Sequence, residues 1–263
     1  MLKRLGYVLV LLANIGLFAP GAAAEEVDIT STEQIEQIVR DYLLEHPEII
    51  AEAITILQNR AEADAREASM AALHKNRDLL EHDPLSIVEG NPEGDVTLVK
   101  FYDYRCPYCR KSHADIMQLI NEDKNLRIVF KQFVVKDRPG ETPVSLISAR
   151  IAMAAQEQGL FLPFHDAMFE AEPPLSEQKV YEIAARVGIN VDQALRDMRD
   201  PLITQHLRET LILANEIGAT GTPTFVVGDF MIPGAVDYDV LKQVIEISRE
   251  AKMAEAAKTG PGS

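Results

Sequence analysis

The sequence predicts an α/β fold: a small mixed sheet with a helical domain inserted into it, preceded by a separate N-terminal helical region. Three observations predict it. A strand-like run, Val96 to Tyr102, leads into a helix and then a second strand-like run, Leu126 to Val135. Residues 142–218 carry helical patterning throughout. Beyond them, Thr224 to Val227 and Phe230 to Ile232 flank a Gly228-Asp229 turn, a hairpin signal. Strand–helix–strand implies a parallel pair with a crossover, and the hairpin adds antiparallel strands.

The chain opens with Lys3 and Arg4, an uncharged apolar stretch from Leu5 to Phe18, and the small residues Ala22 to Ala24. These are the parts of a secretory signal peptide over 1–24. The apolar stretch is shorter than the roughly 20 residues a spanning helix needs, which argues against a membrane anchor. The expectation is export, to a bacterial periplasm where disulfides form and persist. The formal charge is −15, and loss of Lys3 and Arg4 leaves −17. So acidic a chain lacks the basic surface that a nucleic-acid partner demands. Hydrophobic residues at 47% supply a core without staples, so the two cysteines are free for chemistry.

Residues 25–83 form the predicted N-terminal helical region and linker. Thr30-x-x-Glu33 and Ser31-x-x-Gln34 are possible capping boxes. Ile35, Ile38, Val39, Tyr42 and Leu43 fall on one helical face. His46-Pro47 breaks the helix, and a second one carries Ile50, Ile54, Leu57 and Ala61 at coiled-coil spacing. Gln58 to Asp83 is mostly Ala and charged residues, the pattern of a solvated helix outside any core. The apolar stripe either folds back on the main domain or meets copies of itself. The polar stretch between stripe and domain favours self-association.

Residues 84–254 form the predicted main domain. Pro84 to Glu89 is a short strand candidate and Asn91-Pro92-Glu93-Gly94 a turn. After Val96 to Tyr102, a helix runs from the cysteine motif to about Asn121. The helical insert has breaks near Gly159, Pro173-Pro174, Gly188 and Asp200-Pro201. A last helix spans Asp237 to Met253, and residues 255–263 are expected to be a flexible tail. The order is that of a thioredoxin-like core with a helical domain in its middle.

Both cysteines stand in Arg105-Cys106-Pro107-Tyr108-Cys109. Cys106 lies between a strand end and a helix start, where the helix dipole and unpaired N–H groups favour thiolate. In C-x-x-C motifs such a cysteine has its pKa lowered from about 8.5 into a range of roughly 3.5 to 7.5. Pro107 suits the first turn. Cys109, a turn further in, is expected to be the more buried, and can attack a mixed disulfide at Cys106 to release the partner. Other readings stay open. A structural bond across two residues closes almost no loop. A zinc site needs four ligands, and His113 would supply only a third; a cuprous ion would accept two thiolates alone. His113 reads better as a polar residue on the active-site helix.

A second signal is Gly221-Thr222-Pro223-Thr224, just before the hairpin. In a thioredoxin-like fold this proline faces the cysteine pair in the cis form, leaving the preceding backbone free to pair with an extended substrate strand.

Together, F-Y-D-Y-R-C-P-Y-C, the helical insert and G-T-P-T-F resemble the DsbA family of periplasmic thiol–disulfide oxidoreductases over about residues 84–252. The N-terminal helices resemble its suppressor-of-copper-sensitivity protein C (ScsC) branch. The resemblance implies Cys106 as nucleophile, Cys109 as resolving thiol, Pro107 and Tyr108 as the potential-tuning dipeptide, and Thr222 before a cis Pro223. It implies a redox-active disulfide with no other cofactor, protein substrates carrying cysteines, a membrane redox partner, and a homotrimer through residues 30–75. One position departs from the pattern. Where such enzymes often hold a buried acid that moves protons for the resolving thiol, this chain has Lys100, with Asp103 nearby but expected off the buried face. Lys100 either points to solvent or, near the site, favours thiolate and a more oxidising disulfide. Three activities follow as alternatives: isomerase or reductase, favoured by self-association; oxidase; and copper binding through the same cysteines.

Overall fold

The computed structural model describes residues 31–259. The predicted signal peptide, Thr30 of the first capping box and residues 260–263 lie outside the described residues. The chain divides into two compact units, one ending at Asn59 and one beginning at Arg60.

In the first unit, Ser31 caps α1 (Thr32–Glu45), its hydroxyl accepting from the Gln34 amide at 3.2 Å. α2 (Glu48–Lys75) starts one residue after Pro47, which has no N–H to continue α1 but fits the opening of a new helix. α1 buries none of its residues. Ile35, Ile38, Val39 and Tyr42, with Ile50, Ile54 and Leu57 of α2, are between 47% and 63% exposed. The predicted stripe is formed, and in the single chain it faces water.

The second unit is built on one mixed sheet. Its strands are β1 (Ile87–Gly90), β2 (Val96–Tyr102), β3 (Leu126–Gln132), β4 (Thr224–Val227) and β5 (Phe230–Pro233), in spatial order β1-β3-β2-β4-β5. β2 and β3 are parallel and every other pairing is antiparallel. β1 starts three residues later than predicted, because the Asp83 carboxylate accepts from Leu85 N and Ser86 Oγ, both at 3.0 Å, and holds residues 83–86 in a turn. The single helix predicted after the cysteines is two, α4 (Pro107–Lys111) and α5 (His113–Glu122), broken at Ser112. The insert comprises α6 (Val144–Glu157), α7 (Phe161–Glu170), α8 (Glu177–Arg186), α9 (Val191–Asp197) and α10 (Pro201–Glu216). Ser176, Asn190 and Asp200 cap the last three through their side chains. The final helix, α11 (Tyr238–Thr259), runs on past Met253, so residues 255–259 are helical and not the flexible tail expected.

Strand alternation sorts β2 onto two cores. Leu98 and Tyr102 pack with Ile128, Phe130 and the insert, while Val99 and Phe101 pack with Val129, Phe133 and Leu213. The second core also takes Leu73, from the end of α2, and Leu80, from α3 (Arg77–Glu81), at 1% and 2% exposure. The expectation that residues 58–83 stay outside the core is therefore corrected from Leu73 onward. The boundary expected between 83 and 84 is too late by the same reasoning: the sheet's second face needs a cover, and two leucines seven residues apart provide it.

Asp83 locks this cover in place. Lys131 Nζ, buried, donates to Asp83 Oδ2 at 2.8 Å and to Leu79 O at 2.6 Å, and His206 Nδ1 lies 3.2 Å from the same carboxylate. Burial alone would raise the Asp83 pKa, but the bonds with His206 and Lys131 hold it well below the carboxylate range. A depressed acid stabilises the fold above its ordinary pKa, and this contribution is lost in strong acid as the carboxylate protonates. Asp83→Ala should cost about 3–5 kcal/mol, since it strands a buried ammonium. Denaturant unfolding at neutral pH would measure this, and a cost below about 1 kcal/mol, the range of exposed pairs, would show that the network is dispensable.

Candidate active site

Cys106 is the N-cap of α4, in extended backbone (φ −82°, ψ 119°), and Pro107 follows as the first helical residue. The turn that presents it hangs on Asp103, whose carbonyl accepts from Cys106 N at 3.0 Å. The Asp103 carboxylate accepts from Arg105 N and Ser145 Oγ at 2.8 Å and from Val135 N and Lys136 N at 3.0 Å. Contrary to expectation Asp103 is buried, at 3% exposure. With four donors on its two oxygens it ties the end of β2 to the segment after β3 and to α6, which makes it a positioning residue.

Across from the pair, Thr222-Pro223 is cis. Thr222 O lies 3.0 Å from Cys106 Sγ, so 116 residues of separation close into direct contact. Both cysteines are free thiols and both are closed to solvent, at 1% and 0% exposure; Cys109 lies the deeper of the two, as expected. Tyr108 between them is 63% exposed.

Electrostatically the two thiols diverge. The hydrogen bond from the Cys109 thiol, together with the Thr222 side chain and the amides of Cys109 and Tyr108, outweighs burial and lowers the Cys106 pKa to about 5. Burial, then the bond to Cys106, pushes Cys109 far above the normal thiol range. The Cys109 thiol is the largest of these influences, and the amides of Tyr108 and Cys109 are the unpaired N–H groups expected at the start of α4.

Lys100 does not point to solvent. It is fully buried, its Nζ 5.2 Å from the ring centre of Phe169 and 5.7 Å from those of Tyr102 and Phe130. Burial lowers its pKa to about 8, against the opposing pull of Cys109 and Asp166. His113 opens α5 at 9% exposure, its Nε2 3.0 Å from Asp166 Oδ1 and its ring against Phe169 and His165. It is thus engaged with α7, which corrects the three-ligand metal site, and no group of three His, Cys, Asp or Glu able to hold a metal occurs among the described residues.

Sequence reasoning missed the cluster beneath the pair. His165, fully buried in α7, is ringed by Tyr102, Tyr104, Phe130, Phe161 and Phe169, and its Nδ1 lies 3.0 Å from Tyr104 OH. Burial, then Lys100 and His113, keep it neutral, well below the usual histidine range. The available signal was a histidine amid apolar residues, Phe161-Leu162-Pro163-Phe164-His165.

An activated cysteine, a shielded one three residues on and a cis proline bond beside the first are brought together on a thioredoxin-like sheet, with the chemistry that thiol–disulfide exchange requires. The DSBA-like thioredoxin domain matches residues 141–246, and the copper resistance protein ScsC N-terminal domain matches residues 32–64. A thioredoxin-like oxidoreductase from Silicibacter pomeroyi is 39% identical with a TM-score of 0.63, over 66% of this chain and 98% of that one. The chain belongs to the DsbA-like thiol–disulfide oxidoreductase family, with an ScsC-type N-terminal domain. Proteus mirabilis ScsC in a transitional conformation is 26% identical (TM-score 0.62) over 83% of this chain and 97% of its own. The thiol-disulfide exchange protein alpha-DsbA2 from Wolbachia pipientis is 27% identical (TM-score 0.62) over 69% and 97%. The chain spans about a quarter of the length of the curated relatives it matches first, such as the Na(+)/H(+) antiporter NhaA of Herminiimonas arsenicoxydans, 29% identical over 167 residues. Among the described residues no helix is long and apolar enough to cross a membrane.

Proposed function

We propose that this protein is a periplasmic disulfide isomerase or reductase that acts on misoxidised proteins through Cys106 and Cys109. The observation that carries the reading is the divergence of the two thiols around Thr222-Pro223: Cys106 is poised as thiolate and Cys109 is held as thiol. Cys106 attacks a substrate disulfide, and Cys109 resolves the mixed disulfide when the substrate does not rearrange by itself. No cofactor beyond the redox-active pair is needed.

The exposed stripe on α1 and α2 supports isomerase over oxidase. Residues 32–64 match the ScsC N-terminal domain, and a stripe of seven exposed apolar side chains fits self-association, as a homotrimer in this proposal. An assembly holds several sites at high effective concentration around one client. A membrane redox partner keeps the pair reduced. Export rests on the leader-like residues 1–24.

Reduced protein should restore activity to a scrambled disulfide protein faster than oxidised protein folds the same substrate from its reduced state. The opposite ranking would make it an oxidase. Copper enters as the stress, and the support is the name of the N-terminal family alone. Anaerobic titration with cuprous ion should show no binding that Cys106→Ser abolishes; competitive binding by the pair would replace this reading.

A further inference from the structure

The chain is acidic, with a formal charge of −15, yet cations flank Cys106. Arg105, Arg110 and Lys111 belong to the cysteine motif and α4, and Lys136 and Arg138 to the segment after β3. Hydrogen bonds seat that segment against the turn that presents Cys106. Asp103 accepts from Cys106 N through its carbonyl and from Lys136 N through its carboxylate, both at 3.0 Å, and Arg105 Nη1 donates to Lys136 O at 3.2 Å. The acids beside this surface are mostly engaged. Asp137 accepts from Arg105 Nη1 at 3.1 Å and from the amides of Ser145 and Leu146. Glu141 lies 3.7 Å from Arg105 Nη2, and Asp166 is paired with His113. Arg110 is bound to Phe169 O, beside the exposed Glu170, and Lys111 stands near Asp115. Lys111, Lys136 and Arg138 are exposed, and among the described residues the side chains of Lys136 and Arg138 make no hydrogen bond or ion pair. The segment that contacts Cys106 from the other wall, residues 219–227, carries no charge. The hydrogen bonds that favour the Cys106 thiolate come from Cys109, Thr222 and two amides, so these cations are not needed to activate it.

We propose that the exchange centre selects client segments that carry Asp or Glu beside the reacting cysteine, and that Lys111, Lys136 and Arg138 are the residues that determine this preference. The inference deepens the exchange reading and rests on Cys106 as the thiolate that meets the client. Screening makes a local rim decisive in an acidic protein. At physiological ionic strength, charges farther apart than about 8 Å are largely screened. A client sulfur arriving at Cys106 therefore responds to the cations beside the pair and much less to the acidic remainder of the chain. Opposite charges speed such an encounter, and like charges suppress the wrong partner. Tyr108 and Val135, at 63% and 39% exposure, give the contact an apolar middle, which matches the apolar centre and polar rim of protein interfaces. Clients rich in Lys or Arg around their cysteines meet repulsion at the same rim.

The test is stopped-flow reaction of the reduced full chain with a short peptide closed by one disulfide, the cysteine pair becoming oxidised as the peptide is reduced. Three versions of the peptide carry Glu, Gln or Lys on both sides of each cysteine. At roughly 0.01 M salt the Glu peptide should react about tenfold or more faster than the Lys peptide, the lower end of electrostatic steering. The ratio should fall toward one at about 1 M salt, where the screening length drops from about 30 Å to about 3 Å. The combined variant Lys111→Gln, Lys136→Gln, Arg138→Gln should lose the ratio at low salt. Lys136→Glu, a single exposed change, should also diminish it, and carries the test if thermal melting shows the combined variant unfolded. Equal rates for the three peptides at low salt overturn the proposal, as does a preference that persists undiminished in the folded variants. A Cys106 thiolate midpoint that rises in the combined variant also overturns it, marking the cations as tuning the thiol. Binding to anionic phospholipid vesicles with no preference among the peptides would assign the rim to a membrane surface instead. If the wild type does not reduce even the Gln peptide, the exchange reading fails and the proposal falls with it. A peptide preference in a protein that does not reshuffle scrambled substrates supports the proposal and removes only the isomerase reading.

Discussion

Cys106→Ser should bring thiol–disulfide exchange down to the uncatalysed rate, while Cys109→Ser should keep the first attack and stall at a mixed disulfide. The asymmetry follows from the site. Only Cys106 reaches the thiolate state near neutral pH, because Cys109 donates to it and Thr222 and two amides surround it. A hydroxyl at 106 has no comparable acidity. The same feature sets the pH dependence. The thiol's ordinary value is 9.0 and its folded value about 5. A depressed acid adds stability to the folded, reduced protein in full above about pH 9, and that stability fades as pH falls through 5. The reduced wild type should therefore gain stability over Cys106→Ser from pH 5 to 9 and match it below. Thiolate absorbance should titrate with a midpoint near 5. A midpoint above 8 would mean that the hydrogen bonds drawn around Cys106 do not form in solution. A stabilised thiolate also makes the disulfide easy to reduce, which suits an enzyme that works in its reduced state.

Deleting residues 31–59 should convert an oligomer into a monomer and abolish reshuffling of scrambled substrates, while simple exchange with a small disulfide survives. The cut belongs at Asn59, where the first compact unit ends. A cut at residue 75 would remove Leu73, buried in the second core, and would confound loss of assembly with loss of stability at about 2–5 kcal/mol for a buried leucine. The expected loss is large because multivalency multiplies the encounter of one client with several Cys106 thiolates, by as much as about 10²–10⁴ over a single site. Light scattering reports the mass and refolding of a scrambled protein reports the activity. A truncated monomer that reshuffles as well as the full chain would sink the isomerase reading while leaving the exchange centre intact.

The elements with local signals were legible. β2 was placed residue for residue, because five of its seven residues are β-branched or aromatic and a turn follows. Pro47 and Pro201 mark helix starts through chemistry that needs no distant partner, and Gly188, at φ +94°, sits where α8 has to stop. The hairpin followed from Gly228-Asp229. Lys100 was not legible. All seven residues of β2 are buried, since helices cover both faces of the sheet. Alternation then says which residues share a face but not whether that face meets water. Leu73 and Leu80 were hidden for a related reason: the surrounding composition is polar, and only the uncovered side of a sheet assembled from residues far downstream makes them core.

What the sequence by itself determined is the chemistry available: an exchange-competent cysteine pair at a strand–helix junction, a proline able to oppose it, and an apolar stripe in need of a partner. Each is a short-range pattern, set by spacing and backbone chemistry. Only the tertiary structure decided how that chemistry is tuned. It put Thr222 against Cys106 across 116 residues, closed rings around Lys100 and His165, and spent the oxygens of Asp103 on backbone clamps. Burial and desolvation arise from the surroundings, and the surroundings of each of these groups are supplied by segments far away in the chain.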